Sequence, residues 1–157
     1  MALNTLGIKF KYAVEATAGT RPDSGYKEIP EVKSIPSLSP SPETIDVTPL
    51  SETEYKTYVD GLKDLGGALE LGGNFCKELI EAWELLMKAY EEAKKDNKKV
   101  WFTLEHPSLD QSVFFTGNPA SLGVPETNVN SAWDAKMYIT PTNGPKFYNK
   151  VTETPSA

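Results

Sequence analysis

Apolar and polar residues alternate along most of this chain, and one stretch breaks the rhythm. From Gly7 to Ala16, Ile8, Phe10, Tyr12 and Val14 share one face, with Lys9 and Lys11 on the other. That two-residue period predicts a half-buried strand. Gly66 to Phe75 repeats it, with Leu69, Leu71 and Phe75 set against Ala68, Glu70 and Asn74. Ser131 to Thr140 does so again, with Ala135, Met137 and Ile139 against Asp134, Lys136 and Tyr138. Lys99 to Leu104 and Gln111 to Thr116 predict two more strands, joined as a hairpin through His106-Pro107-Ser108-Leu109. Tyr26 to Ile35 predicts a strand that Pro30 confines to an edge or an early strand position. Pro141 to Pro145 predicts a turn, followed by a short Lys146-Phe147-Tyr148 strand and a frayed tail.

The exception runs from about Asn74 or Phe75 to Lys95. Leu79, Trp83, Leu86, Met87 and Tyr90 recur at helical spacing, while Lys77, Glu81, Glu84, Lys88, Glu91, Glu92 and Lys95 occupy the opposite face. Asn74 stands where an N-cap is expected, and Lys94, Lys95, Lys98 and Lys99 cluster at the end where cations suit the helix dipole. One amphipathic helix among strands needs a sheet to lie on. The fold class expected is therefore mainly β (α+β), with one flanking helix.

A long arm interrupts the first half, from about Ser37 to Leu65. Pro36 to Glu43 is rich in proline and serine and is expected to be extended. Thr44 to Leu50 is β-like, with Ile45 and Val47 on one face, and Ser51 to Val59 fits a short strand or a helical turn. Asp60-Gly61 reads as a tight hairpin turn between Tyr58-Val59 and Leu62-Lys63. Connections this long inside a domain are usually functional or disordered. The apolar residues Ile45, Val47, Tyr55 and Tyr58 argue against plain disorder and mark the arm as the candidate contact surface.

Composition narrows the function. At 157 residues the chain is expected to form one domain over its whole length, and no internal repeat divides it. The net charge is −6 and Arg21 is the only arginine, which disfavours a specific nucleic-acid reader. Cys76 is the only cysteine, so no intrachain disulfide is expected. The start Met1-Ala2-Leu3-Asn4-Thr5 has no secretory pattern, and no apolar run approaches the roughly 20 residues of a membrane span. Folding in a reducing cytoplasm, away from membranes, is the expectation.

No residue set with catalytic spacing emerges. His106 is the only histidine and sits beside Pro107, where a turn role is the simpler reading. Cys76 at a helix start could have a lowered thiol pKa, but a small residue at a strand-to-helix junction accounts for it. Zinc ligation lacks Cys/His clusters, and Asp60 to Asp64 lacks the oxygens for calcium. Gly67 to Asn74 has the G-x-x-x-x-G spacing of a phosphate loop, yet Gly73 and Asn74 stand where Lys and Ser/Thr are required. Those glycines are expected to permit close backbone packing or a bulge. No enzyme activity, cofactor or metal is expected.

Certain segments, read in order, carry a resemblance. They are Ala18-Gly19-Thr20-Arg21-Pro22, Gly25 to Pro36, Pro42 to Leu50 and Thr53 to Gly67, then Trp83-Glu84-Leu85, Phe115-Thr116-Gly117 and Tyr138 to Pro141. Together they resemble the major tail tube proteins of long-tailed (siphovirus-type) bacteriophages and prophages over nearly the whole chain. The resemblance implies a β-sandwich or half-barrel with one flanking helix and a long protruding loop. It implies hexameric rings joined sheet to sheet and stacked into a hollow conduit for the genome. Ile45, Val47, Tyr55 and Tyr58 would then lie at the contact between rings. The implied partners are further copies of the chain, a tape measure protein, a tail terminator and a distal tail protein, with only non-specific passage of DNA. The implied location is the virion tail, assembled in the bacterial host cytoplasm. The immunoglobulin-like C-terminal domain of some relatives is expected to be lacking here. The acidic balance suits a lumen that repels phosphate. Two other readings stay open. One is a secreted or cell-surface β-sandwich binding carbohydrate, with Trp101, Trp133 and Tyr138 as a stacking platform. The other is the tube of a contractile injection system.

Overall fold

Ten strands and one helix make up the computed structural model, which describes residues 2–39, 41–64 and 67–149. The strands are β1 (Lys9–Val14), β2 (Lys27–Glu28), β3 (Val32–Ser34), β4 (Ser41–Asp46), β5 (Tyr58–Asp64), β6 (Leu69–Asn74), β7 (Val100–Glu105), β8 (Gln111–Pro119), β9 (Asp134–Pro141) and β10 (Lys146–Asn149). The helix α1 is Lys77–Lys95. Pro40, the Leu65-Gly66 step expected to close the arm, and the tail from 150 onward lie outside the described residues.

The main sheet runs β2-β1-β7-β8-β9-β6-β3, with β10 added to β8 beyond the end of β9. Its two ends, β2 and β3, are neighbours in sequence, separated only by Ile29-Pro30-Glu31. A flat sheet of this order would hold its ends roughly 29 Å apart, at about 4.8 Å per strand. The link from Glu28 to Val32 spans at most about 14 Å. The sheet must therefore roll, and it does, into a curled half-barrel.

Pro30 is the break point. The single strand expected over Tyr26 to Ile35 is two short ones, because Pro30 gives no ladder donor and Glu31 takes a left-handed backbone (φ 63°). Both pieces are sheet edges, as Pro30 requires. The Ile29 N–H donates to the Phe10 carbonyl (2.8 Å) and the Asn74 N–H to the Glu31 carbonyl (2.9 Å), so each side of the crossover is pinned. The Asn74 side-chain amide also reaches the Glu31 carboxylate (2.8 Å). A Cβ on Gly73 would stand 2.8 Å from the Glu31 carbonyl oxygen and 3.0 Å from Met137. The glycine pair is thus a close-approach device, beside a register shift in the β3–β6 ladder.

The inside of the roll is the core. Phe10, Phe102 and Phe115 stack across β1, β7 and β8, and Leu69, Leu71, Ala135, Met137 and Ile139 complete the floor. Helix α1 closes it with Leu79, Trp83 and Leu86, and the Trp83 indole N–H donates to the Ala120 carbonyl (2.9 Å). The helix starts later than expected. Asn74 ends β6, and Cys76 is the N-cap, extended at φ −144° and without a side-chain capping bond.

A second cluster lies on the outer face. The segment between β1 and β2 folds back over the sheet, so Tyr26 packs on Phe114 with Ala13, Trp101 and Tyr148 around them. This corrects the expectation of a solvated outer face on β1. Lys11 is only 8% exposed and pairs with Glu105 (3.1 Å). Glu15 is buried, and its carboxylate accepts the Lys99 N–H (2.7 Å) and the Trp101 indole N–H (3.1 Å). Arg21 lies over the rings of Phe114 (4.8 Å) and Tyr148 (4.3 Å), so the chain's one arginine is used in packing.

Candidate assembly interface

Strands β4 and β5 form a two-stranded sheet of their own, separate from the half-barrel. Side chains on both faces of this hairpin are largely solvated. Its register sorts the candidate residues. Ile45 is opposite Val59, and Val47 bonds back to Thr57 (2.9 Å), so Ile45, Val47, Val59 and Thr57 share one face. Asp46 is opposite Tyr58 and Thr44 opposite Asp60, which makes the other face acidic with one aromatic. Tyr55 belongs to the tip. The four candidates are therefore not one patch: Ile45 and Val47 are together, Tyr58 is behind them, and Tyr55 is beyond.

The Asp60-Gly61 turn does not form. Both residues lie inside β5, and the ladder shifts register between Pro42 and Thr44, so Gly61 and Leu62 together oppose Glu43. A Cβ on Gly61 would sit 3.3 Å from Glu43. Glycine here serves a bulge, which bends and twists the arm. The true tip spans residues 47–57. It is tied by the Thr57 N–H to the Thr48 hydroxyl (2.7 Å) and by the Thr48 hydroxyl and N–H to the Asp46 carboxylate (2.6 and 3.0 Å). The hydroxyl, then the N–H, of Thr48 hold the Asp46 carboxyl below its ordinary range. The N–H groups of Glu54, Tyr55 and Thr53 do the same for Glu52. The tip is ordered and charged without help from the body.

What the hairpin leaves in water is large. Ile45 is 53% exposed, Val59 46%, Val47 44%, Tyr58 51% and Tyr55 79%, and Leu50 and Leu62 are more open still. Val59, Leu50 and Leu62 were not among the residues singled out from sequence. The alternation Ile45/Val47 against Tyr58/Asp60 would have placed Val59 with the first pair, had Asp60-Gly61 not suggested a turn. Solvated apolar groups gathered on one element make the hairpin the candidate contact surface, although Val124, Val129 and Phe147 are exposed elsewhere.

The remaining candidates lie elsewhere. His106 is in the β7–β8 turn, where Nδ1 accepts the Ser108 N–H (3.0 Å), which leaves Nε2–H to donate to the Asn4 carbonyl (2.7 Å). Cys76 is part-buried against the core. Trp101 is part-buried and tied to Glu15, which takes it out of the proposed stacking platform, while Trp133 stands edge-on to Phe75 (4.5 Å) and stays 43% exposed. Tyr138 lies on β9 opposite Glu70. Among the described residues, no three of His, Cys, Asp and Glu are grouped as a metal site requires, and no helix is long and apolar enough to cross a membrane.

No known family pattern matches the chain, and no curated protein does. Solved structures do. A chain from the tail of an empty GTA particle with C6 symmetry superposes with a TM-score of 0.59 at 15% identity, over 94% of this chain and 99% of its own. A chain of the anti-feeding prophage baseplate, six-fold symmetrised, gives 0.58 at 9% identity, over 95% and 98%. A chain of the anti-feeding prophage cap, which terminates the tube, gives 0.54 at 13% identity, over 96% and 94%. At such identities the likeness is one of fold. The curled β half-barrel with one helix is the fold of chains found in a tail, a baseplate and a tube cap.

Proposed function

We propose that this protein is a non-catalytic structural subunit that self-associates into six-membered rings, which stack into a hollow tail tube serving as a conduit for DNA. The observation that carries the reading is the β4–β5 hairpin, an ordered arm whose apolar side chains stay in water on a single copy. The free edges of a curled sheet offer the second requirement, backbone groups that a neighbouring copy can pair with. A heterologous contact of this kind closes into rings or runs on into filaments. The fold shared with chains from six-fold and C6 particles supports the same reading. Those particles are not specific to long non-contractile tails, so the proposal is a tail-type tube subunit for either kind of particle. Tape measure, terminator and distal tail proteins would be its partners in such a particle. The test is electron microscopy of the purified chain across a concentration series. Six-fold rings or tubes are expected; a monomer at every concentration overturns the reading.

A further inference from the structure

The surface holds two clusters of opposite charge with no ion pair between them among the described residues. Between Ser41 and Leu62 five carboxylates, Glu43, Asp46, Glu52, Glu54 and Asp60, stand against the single Lys56. Between Lys94 and Lys99 four lysines stand against the single Asp96. Lys94, Lys95 and Lys99 are exposed and Lys98 is part-buried. The ion pairs seen among the described residues are Lys11–Glu105, Lys33–Asp134, Lys77–Glu81 and Lys136–Glu70, none of which touches either cluster.

The helix dipole accounts for part of the basic cluster. Lys94 and Lys95 stand in the last turn of α1, where cations are favoured. Lys98 and Lys99 come after the C-cap Asp96, beyond the turn in which that effect acts. Four cations in six residues repel one another, on a chain whose net charge is −6. Such a patch is relieved by an anionic partner. The hairpin's polar face is one, with Asp46 and Asp60 flanking Tyr58. The tip's own hydrogen bonds hold the Asp46 and Glu52 carboxyls below their ordinary range.

We infer that the acidic face and tip of one copy's β4–β5 hairpin dock on the lysine cluster that ends α1 of a second copy. The inference rests on the self-association proposed above and names the surface that receives the arm. Complementary charge sets which surfaces meet and speeds their encounter, while the apolar face of the hairpin is left to pack beside them.

The experiment is a charge swap in the full chain, read by sedimentation of assembled material. Lys95→Glu with Lys99→Glu, and separately Glu54→Lys with Asp60→Lys, should each raise the concentration needed for assembly by about tenfold or more. The four changes combined should restore assembly toward wild type. Raising salt from about 0.05 to 0.5 M should weaken wild-type assembly, since contacts between exposed charges are screened. Thermal melting of each variant checks folding; if a reversal unfolds the chain, Lys95→Gln with Lys99→Gln replaces it and should weaken assembly in the same direction. Wild type that assembles while the swaps have no effect, or fail to rescue one another, overturns this inference and leaves the tube reading standing. Wild type that never assembles removes both. Duplex DNA binding that disappears in Lys95→Glu with Lys99→Glu would assign the lysines to phosphate instead, and also overturns it.

Discussion

The hairpin's two faces give the stacking proposal a measurable consequence. Ile45, Val47 and Val59 are each about half exposed, at 53%, 44% and 46%. Full burial of a Val or Ile side chain contributes about 1.5–3 kcal/mol, so roughly 1 kcal/mol per residue is still unrealised on the single copy. Burying all three against a neighbour would contribute about 3 kcal/mol per arm, or a factor of roughly a hundred in the pairwise constant. Changing Ile45, Val47 and Val59 together to Thr removes most of that term. Threonine keeps the β-branched shape that a strand tolerates, so the hairpin should survive.

The assay is paired. Thermal melting should show the monomer nearly unchanged, because these side chains belong neither to the buried core nor to the part-buried residues packed against it. The concentration at which tubes form should rise by about a hundredfold. Tubes at the wild-type concentration would show that this face carries no contact. A drop of about 10 °C or more in Tm would show that the arm is part of the folded body. Tyr55→Ala with Tyr58→Ala is the companion variant, because it alters the tip and the opposite face. If it alone abolishes tubes, the contact is made by the acidic face and the apolar stripe is not the stacking element.

Other outcomes follow from single sites. Trp83→Ala should destabilise the fold by about 3–5 kcal/mol, since it removes the helix's largest buried side chain. Trp83→Phe should cost about 1 kcal/mol more than its volume loss alone, because the Ala120 carbonyl loses its donor, and both are read from urea midpoints. Burial pushes the Tyr26 hydroxyl up to about 12. The unfolded chain releases that proton near pH 10 and the folded chain does not, so stability should fall between pH 10 and 12, by of the order of 2 kcal/mol. Tyr12, raised in the same direction by burial, adds to the fall, and Tyr26→Phe should flatten it. Cys76→Ser should fold and assemble, with stability equal or up to about 1 kcal/mol higher, because serine can supply the capping bond that Cys76 does not make. Loss of assembly in a folded Cys76→Ser would assign the thiol a role beyond packing.

The strand pattern was legible wherever one face of a strand is solvated and the other is core. Leu69, Leu71, Ala135, Met137 and Ile139 are all buried as their alternation requires, and Leu79, Trp83 and Leu86 as theirs does. Legibility ended where two layers meet one strand. β1 is buried on both faces because a distant segment, Arg21 to Tyr26, folds over it, and nothing local to Lys11 or Ala13 announces that cover. The roll of the sheet is likewise non-local. Pro30 signals a break, but only the pairing of β2 with β1 and of β3 with β6 shows that the break joins the two ends of a half-barrel.

The arm was legible as an arm and not as two faces, and the reason is one glycine. Asp-Gly between apolar residues is a strong hairpin-turn signal because both central positions of such a turn need positive φ. Gly61 is not among the residues with positive φ, and its lack of a Cβ is used against Glu43 instead. The same residue type answers two different steric demands, and sequence does not distinguish them. Moving the turn from Asp60-Gly61 to residues 47–57 converts Tyr58-Val59-Asp60 from a turn flank into a strand that alternates across the hairpin. Val59 then joins Ile45 and Val47, and Tyr58 joins Asp46 and Asp60. Gly61→Ala isolates that step. A Cβ 3.3 Å from Glu43 asks the facing strand to give by a few tenths of an ångström; if the bulge yields instead by slipping one residue, the two faces exchange. If assembly depends on which face is apolar, a Gly61→Ala chain that slips should fold with an unchanged core melt yet assemble poorly, although position 61 lends no side chain of its own to the contact.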